Sequence, residues 1–525
     1  MQRNLASAFM TTISDRVADE SAAGSMPHRS MFSRAYFWWA VFLIMALAVA
    51  MRLGGVFSPI ERDFDEGVYW QTLRAMSAGH ALYKDIFYSQ PPFFALMTFE
   101  SYQLGGQTLA GARAGVAAAS LLGIAGAGLL GFSLQGRGAA LAAMALVAAN
   151  PIYLSLSPSL QADGVSTAFS LLSVALAFAW LRRPEGWFGY LCAGAAGATL
   201  ALSLLTKLLC IATCLPIALI VLGSLWERRE VLRTEPFKVL APPAVMLACF
   251  VLTLGVMILP FASIRQEMIA QVITYHQDAG RFFTVRHDAN HHKIEGVLSS
   301  LLFCLALAGG AIAIRARDWR VYPLIVWLAG TIALLLHISP LLSHHLVARI
   351  APLAALAAMA FPKSGAGGFW SQTARAGWKT PSIAGSAVLL LCATLAVNVQ
   401  KDIGAHNWWP SKQPAAIHDI EGDVVKDIRL ALQPRELLVT DAPFIAALAD
   451  RSTPATLVDP STVRIKTGYL TLRQLEDATS QGNVHGVLFF TGRFQLEELA
   501  GFHEWVAANF RLQRDYGSDR QLWVR

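Results

Sequence analysis

Charge is scarce in this chain. Asp, Glu, Lys and Arg make up 15% of its 525 residues, against about a quarter in an ordinary soluble domain. Cysteine is sparse too: all six (Cys192, Cys210, Cys214, Cys249, Cys304 and Cys392) lie inside apolar blocks with no CxxC or Cys/His spacing. They read as small buried hydrophobes, and neither disulfide nor zinc chemistry has a framework. No internal repeat is present. What abounds is apolar residue, 55% of the chain, in long blocks rather than at amphipathic spacing. Disorder and a conventional cytosolic enzyme are excluded. The formal charge of +7 gathers in short loops between the blocks, which signals membrane topology and not a nucleic-acid partner.

A bilayer needs about 20 apolar helical residues per crossing. Blocks of that kind fall at about 36–57, 109–132, 138–156, 164–181, 187–205, 208–226, 237–261, 294–315, 320–339, 344–362 and 382–399. The chain therefore reads as an α-helical polytopic membrane protein of about eleven spans. The first follows a polar leader, 1–35, with no small-residue cleavage site after it, the pattern of an uncleaved anchor. With the leader inside, Arg137, Arg182, Arg183, Arg228, Arg229, Arg233, Lys238, Arg315, Arg317, Arg320, Lys363, Arg375 and Lys379 all fall on the inner side, as the positive-inside rule expects. The segment Pro91–Gly106 is short for a span and opens on a proline pair; it reads as an interfacial helix. Beyond a membrane domain of 36–399, residues 400–525 change to mixed soluble composition. Strands are expected at Glu436–Asp441, His485–Thr491 and Gln521–Arg525, and helices at Pro443–Asp450 and Gln495–Phe510. These make a small extracytoplasmic α/β domain with no glycine-rich phosphate loop.

Polar residues then collect at one depth. The first outer loop, 58–108, carries Glu61-Arg62-Asp63-Phe64-Asp65-Glu66-Gly67-Val68-Tyr69, continues as an amphipathic helix to about Ala78, and runs through Tyr83-Lys84-Asp85 to Gln90-Pro91-Pro92. Later outer turns hold Asp163, then Lys207, then Tyr275, His276, Asp278 and the 287–292 histidines, then His344, His345 and Arg349. Ionisable residues are expensive at a membrane edge and point to function. Each also has a structural alternative: Asp65 as a helix N-cap, Asp163 as a turn former, Lys207 snorkelling to the interface, the histidines as loop. A transporter would place charges mid-span in broken helices, whereas carboxylates with cations at one surface suit group transfer. A carboxylate would take a proton from an acceptor hydroxyl while cations stabilise a phosphate leaving group.

Asp65-Glu66-Gly67 with Tyr69, Gly79-His80, Tyr83-Lys84-Asp85 and Gln90-Pro91-Pro92 resemble the first outer loop of bacterial family 39 glycosyltransferases. That group, of GT-C fold, includes lipid A aminoarabinose transferases and protein O-mannosyltransferases. The turn ending in Asp163 is similar to the family's second acidic position, and Leu205-Thr206-Lys207 to its Leu-Thr-Lys turn. The resemblance implies an inverting transfer from a polyprenyl-phosphate sugar to a lipid, glycan or protein acceptor, at the outer face of a bacterial cytoplasmic membrane with the C-terminal domain in the periplasm. It implies Asp65 as general base, with Glu66 and Asp163 as its catalytic companions. Lys207, Arg349, Lys84 and His345 would hold the donor phosphate, and Tyr69, Tyr83, Gln90, Tyr275 and His276 would contact substrate. It assigns no metal ligand and fixes no cofactor, leaving a divalent cation open. One departure is that Gln90 stands where the aminoarabinose transferases carry Lys, so lipid A is not assumed as acceptor. The other readings are a flippase for lipid-linked sugar, a non-catalytic scaffold whose outer α/β domain recruits partners, and a surface-polysaccharide ligase, the last supported by Arg265, Arg281 and Arg286.

Overall fold

The structure, a computed structural model, describes residues 28–283, 287–298, 300–361, 380–404 and 415–525. Most of the predicted leader, together with Arg286, Lys363, Arg375 and Lys379, lies outside them. The described chain divides into two units that part between Leu47 and Ala48. In the first, the helix that begins at His28 exposes Tyr36, Trp38, Trp39, Phe42, Leu43 and Leu47. An all-apolar, outward-facing surface of this kind suits lipid contact and no packed core.

Helical segments stand at all eleven expected positions, but not all are long enough to cross. Among the described residues seven are long and apolar enough: Arg34–Val56, Leu109–Gln135, Ala162–Arg182, Gly186–Thr206, Leu208–Glu227, Pro236–Phe282 and Gly385–Ile403. An eighth joins Asn290–Gly296 to Leu301–Arg315 through a 74° bend. Arg137–Ala148 and Val321–His337 are apolar but shorter, and Ile350–Ala358 has 9 residues. The count of eleven is thus not met by length, because composition marks an apolar block without saying where its helix bends.

Two features of the second unit position polar groups. The Gly186–Thr206 helix stops where Lys207 adopts extended backbone (φ −159°, ψ 129°), and a 3-10 turn restarts at Leu208. The expected break at Thr206–Lys207 is therefore real. The stretch expected as a loop at 262–293 is instead largely helical through Phe282, since no glycine or proline interrupts Phe261–Ala279. Small residues bring other helices close. A Cβ on Gly126 would lie 3.1 Å from Leu172 Cα, and one on Gly123 2.8 Å from Ala168 Cα. Leu109–Gln135 and Ala162–Arg182 thus pack nearly backbone to backbone, which sets the depth of Arg113 on one and Asp163 on the other.

The C-terminal region carries a four-stranded sheet, β1 (Leu437–Thr440), β2 (Val484–Phe489), β3 (Arg511–Asp515) and β4 (Gln521–Val524), in order β1-β2-β4-β3. β1 runs parallel to β2, with Val439 opposite Val487, and the other pairs are antiparallel. Three strands lie where alternation and turn signals put them. β3 went unforeseen because all five of its residues are exposed, and an edge strand with no buried face leaves no apolar pattern. The expected Gln495–Phe510 helix begins only at Phe502, after Gly501 at φ +97° breaks the chain.

This domain sits directly on the first loop. The Phe64–Ser77 helix presents Gln71, whose Nε2 donates to the carbonyls of Pro443 (3.2 Å) and Arg451 (3.0 Å) and whose Oε1 accepts from Thr453 N–H (3.2 Å). Trp70 packs edge-on against Phe444 at 5.5 Å, and Arg74 pairs with Asp450 at 2.9 Å. Gly67 is required by this contact, since a Cβ there would lie 2.5 Å from Phe444 N. Gly67→Ala gains up to about 1 kcal/mol of helix propensity but overpacks a backbone contact, which typically costs about 1–3 kcal/mol. We expect a lower unfolding midpoint and faster tryptic cleavage within 415–525, read by differential scanning fluorimetry and limited proteolysis.

Candidate active site

The DFDEG stretch folds into a helix start because Asp63, and not Asp65, caps it. Asp63 has extended backbone and its Oδ1 accepts from Asp65 N–H at 3.1 Å. This frees the Asp65 carboxylate, one of the two acids in the first turn. Asp63 also faces His344, whose Nδ1 lies 3.4 Å from Asp63 Oδ2. Burial pushes the Asp63 carboxyl up, but the hydrogen bond and charge of His344 outweigh it and hold the group below the usual range.

Asp65 is recessed and only partly accessible. Burial raises its pKa to about 6, against an opposing pull from His344 and with a further push from Asp63. A carboxylate so placed is charged at neutral pH yet more basic than a free one, the property a general base needs. Tyr69, one helical turn further on, is buried edge-on between Tyr88 (6.2 Å) and Phe94 (4.9 Å). Its phenol is held well above the usual range by burial and then by the charge of Asp65.

Glu66 has a different environment. It is fully buried, and both its oxygens are taken by Arg113: Nε donates to Oε1 at 2.8 Å and Nη2 to Oε2 at 2.7 Å. Leu160 N–H (2.8 Å), Arg62 N–H (3.1 Å) and Ser159 Oγ (3.4 Å) donate to it as well. Arg113 is fully buried too and donates to the carbonyls of Gly55, Ser58 and Ile60. A carboxylate with this coordination holds the first loop against the 157–161 turn. It offers no free lone pair of good geometry to a substrate.

Asp163 lies in the first turn of the Ala162–Arg182 helix, where a carboxylate also suits the helix dipole. Its Oδ2 accepts from Lys207 Nζ at 2.7 Å, both groups being buried. Lys207 is thus an ion-pair partner and not a snorkelling residue. His344 and His345 stack edge-on at 4.6 Å beside this pair. Ligand atoms of Asp163, His344 and His345 lie within 4.8 Å of one another, as do those of Asp63, Asp65 and His344. Six side chains from four separate connections therefore meet: Asp63, Asp65, Asp163, Lys207, His344 and His345.

The remaining expected residues are distributed around this centre. Tyr83, at φ +66°, donates its hydroxyl to the Gln90 carbonyl at 2.8 Å, and Gln271 ties its carbonyl and Tyr88 N–H together. These bonds brace the loop. Tyr275 is buried against Phe87 (5.3 Å) and Tyr469 (5.1 Å), and His276 Nε2 is 2.8 Å from the Ser89 carbonyl. Lys84 is exposed. Arg349 turns back to donate to the Leu346 carbonyl at 2.9 Å. Neither cation makes an ion pair with the carboxylates among the described residues.

Sequence reasoning gave no role to Asp63, to Arg113 or to the C-terminal domain's own side chains. A lone arginine early in an apolar block was the available signal for Arg113. Nothing local marked Arg493, whose guanidinium lies 3.6 Å above the Phe64 ring, or Arg464, 4.0 Å above Phe87. Asp459 adds negative charge near Asp65. Glu61, raised to about 8 by burial and then by Glu66 and Glu421, stands at the same edge.

Residues 89–255 match a family model described as dolichyl-phosphate-mannose-protein mannosyltransferase. The match takes in Asp163 and Lys207 and starts after Asp65. No curated protein matches the chain by sequence. Among solved structures, ArnT from Cupriavidus metallidurans in the apo state is similar over 94% of this chain and 98% of its own, at 15% identity and TM-score 0.56. The same protein bound to undecaprenyl phosphate aligns over 92% and 97%, at 13% identity and TM-score 0.58. Arabinofuranosyltransferase AftD from Mycobacteria aligns over 94% of this chain and 40% of its own, at 12% identity and TM-score 0.51. The fold is the GT-C fold of membrane glycosyltransferases, as the loop motifs led one to expect.

Proposed function

We propose that this chain transfers a sugar from a polyprenyl-phosphate donor to an acceptor hydroxyl at the membrane surface, with inversion at the anomeric carbon and Asp65 as general base. The observation that carries the reading is the contrast among neighbouring carboxylates. Glu66 is saturated by Arg113, Asp63 caps the helix and faces His344, and Asp163 is held by Lys207. Among the described residues Asp65 is the one of these four whose carboxylate makes no hydrogen bond or ion pair, and burial raises its pKa to about 6.

Asp65 would draw the proton from the acceptor hydroxyl as that oxygen attacks the anomeric carbon. The bond from that carbon to the phosphate oxygen breaks, and its electron pair leaves with the polyprenyl phosphate. Lys207 would meet the developing charge with its ammonium, with His345 beside it. Glu66 and Arg113 act as positioning residues. The likeness to a structure holding undecaprenyl phosphate supports a long-chain lipid phosphate as the donor's carrier. The C-terminal domain, seated on the Phe64–Ser77 helix, would guide the acceptor, and its deletion should weaken acceptor use more than donor binding.

The test is a reconstituted assay offering the purified protein a panel of polyprenyl-phosphate sugars and measuring released polyprenyl phosphate. Turnover of one donor supports the reading and names the sugar. Binding without release from any donor would favour a flippase instead. The pH profile carries its own expectation. The reactive form is deprotonated Asp65, so kcat/KM should fall about tenfold per pH unit below about 6 and level off above it. A profile flat from pH 5 to 7 would remove Asp65 from the base role.

A further inference from the structure

We propose that Asp163, His344 and His345 form a binding site for a divalent transition-metal ion, with zinc the ion their donor set fits best. The starting observation is a pair of buried polar atoms. Asp163 Oδ1 and His344 Nε2 make no hydrogen bond, although Asp163 is fully buried and His344 is 9% exposed. Such atoms are costly to leave unsatisfied, at about 1–3 kcal/mol each. Both residues belong to the triad whose ligand atoms lie within 4.8 Å of one another. Metal–ligand bonds of about 2.0–2.2 Å place two donors on one ion a little over 3 Å apart, so only small adjustments are needed.

The surroundings are those of a ligand shell. Asp63 Oδ2 faces His344 Nδ1 at 3.4 Å, the carboxylate–histidine arrangement that orients a ring so that its other nitrogen can ligate. Lys207 holds Asp163 by Oδ2 alone and leaves Oδ1 to the ion. His345 is the least free member, since its Nδ1 accepts from Leu342 N–H at 3.2 Å and leaves Nε2 as the nitrogen to ligate. Two imidazoles and one carboxylate make the donor set of open, four-coordinate zinc sites, with one position left for a substrate oxygen.

Charge argues the same way. Asp63, Asp65 and Asp163 bring three carboxylates to the cluster against the ammonium of Lys207 and, when His344 is protonated, its imidazolium, so the carboxylates still outnumber the cations. An anionic donor phosphate would meet a net negative centre, and a dication reverses that. The ion's role rests on the transferase reading, whereas its binding does not.

The experiment is zinc titration of the full-length, chelator-stripped protein in detergent, by isothermal calorimetry with metal analysis after gel filtration. Wild type should retain one zinc per chain. His344→Gln and Asp163→Asn should weaken binding more than tenfold, Asp63→Asn about 10–100-fold, and His345→Gln less than His344→Gln. A triple His287, His291 and His292→Ala variant, which strips competing imidazoles from the 287–298 helix, should bind as wild type does. X-ray absorption at the zinc edge of the wild type should show two imidazoles and a carboxylate, and it serves even where a variant fails to fold. No stoichiometric zinc in wild type, zinc lost with the triple variant, or a spectrum without paired imidazoles would overturn the site. Because none of these readings needs turnover, a failed site and a failed transferase assignment are separable.

Discussion

Asp65→Asn is expected to lower sugar transfer about 10²–10⁴-fold, the usual contribution of a positioned general base, while undecaprenyl-phosphate binding stays within a few-fold of wild type. Asparagine keeps the size of the side chain and loses only the ability to accept a proton. The helix start should survive, because the cap is Asp63 and its bond runs to the Asp65 backbone N–H and not to the side chain. The low-pH limb of the profile should vanish in whatever activity remains, since the group responsible for it no longer titrates. Donor turnover and binding, measured on the same detergent preparation, separate chemistry from affinity. Transfer within threefold of wild type would place the base elsewhere, with Asp163 the next carboxylate to examine.

Glu66→Gln is expected to act through folding. It would leave the Arg113 guanidinium buried among the carbonyls of Gly55, Ser58 and Ile60 without its counter-charge. Removing one partner of a buried pair typically costs about 3–5 kcal/mol, mostly through the charge left behind. The amide also loses acceptor capacity toward Leu160 N–H and Arg62 N–H, so the first loop loosens from the 157–161 turn. The unfolding midpoint in detergent should drop sharply and the yield of monodisperse protein should fall. The contrast with Asp65→Asn is diagnostic. A Glu66→Gln protein that is fully stable and inactive would move Glu66 from a positioning role into the chemistry itself.

The two neighbours, adjacent in sequence and alike in chemistry, show where sequence reasoning stops. Both read as catalytic from the DEG motif. Their fates diverge because successive residues at a helix start point about 100° apart, so one carboxylate meets Arg113, 47 residues on, and the other opens toward His344. The same limit applies to Lys84 and Arg349, which were expected to hold the donor phosphate and among the described residues make no ion pair with the cluster.

What the sequence determined by itself is the local and compositional part: the membrane class, the apolar blocks, the break at Lys207, three of the four strands, and the connections on which Asp65, Asp163, Lys207 and the paired histidines ride. Each follows from hydrophobic patterning or turn chemistry within a window of some twenty residues. Tertiary structure alone decided which helices reach full length, that Asp63 and not Asp65 is the cap, and that Lys207 binds Asp163 rather than reaching outward. It also decided that a domain 380 residues downstream closes on Gln71. Those outcomes depend on which charges and backbone groups meet across long separations, and a buried charge settles its role by the partner it finds there.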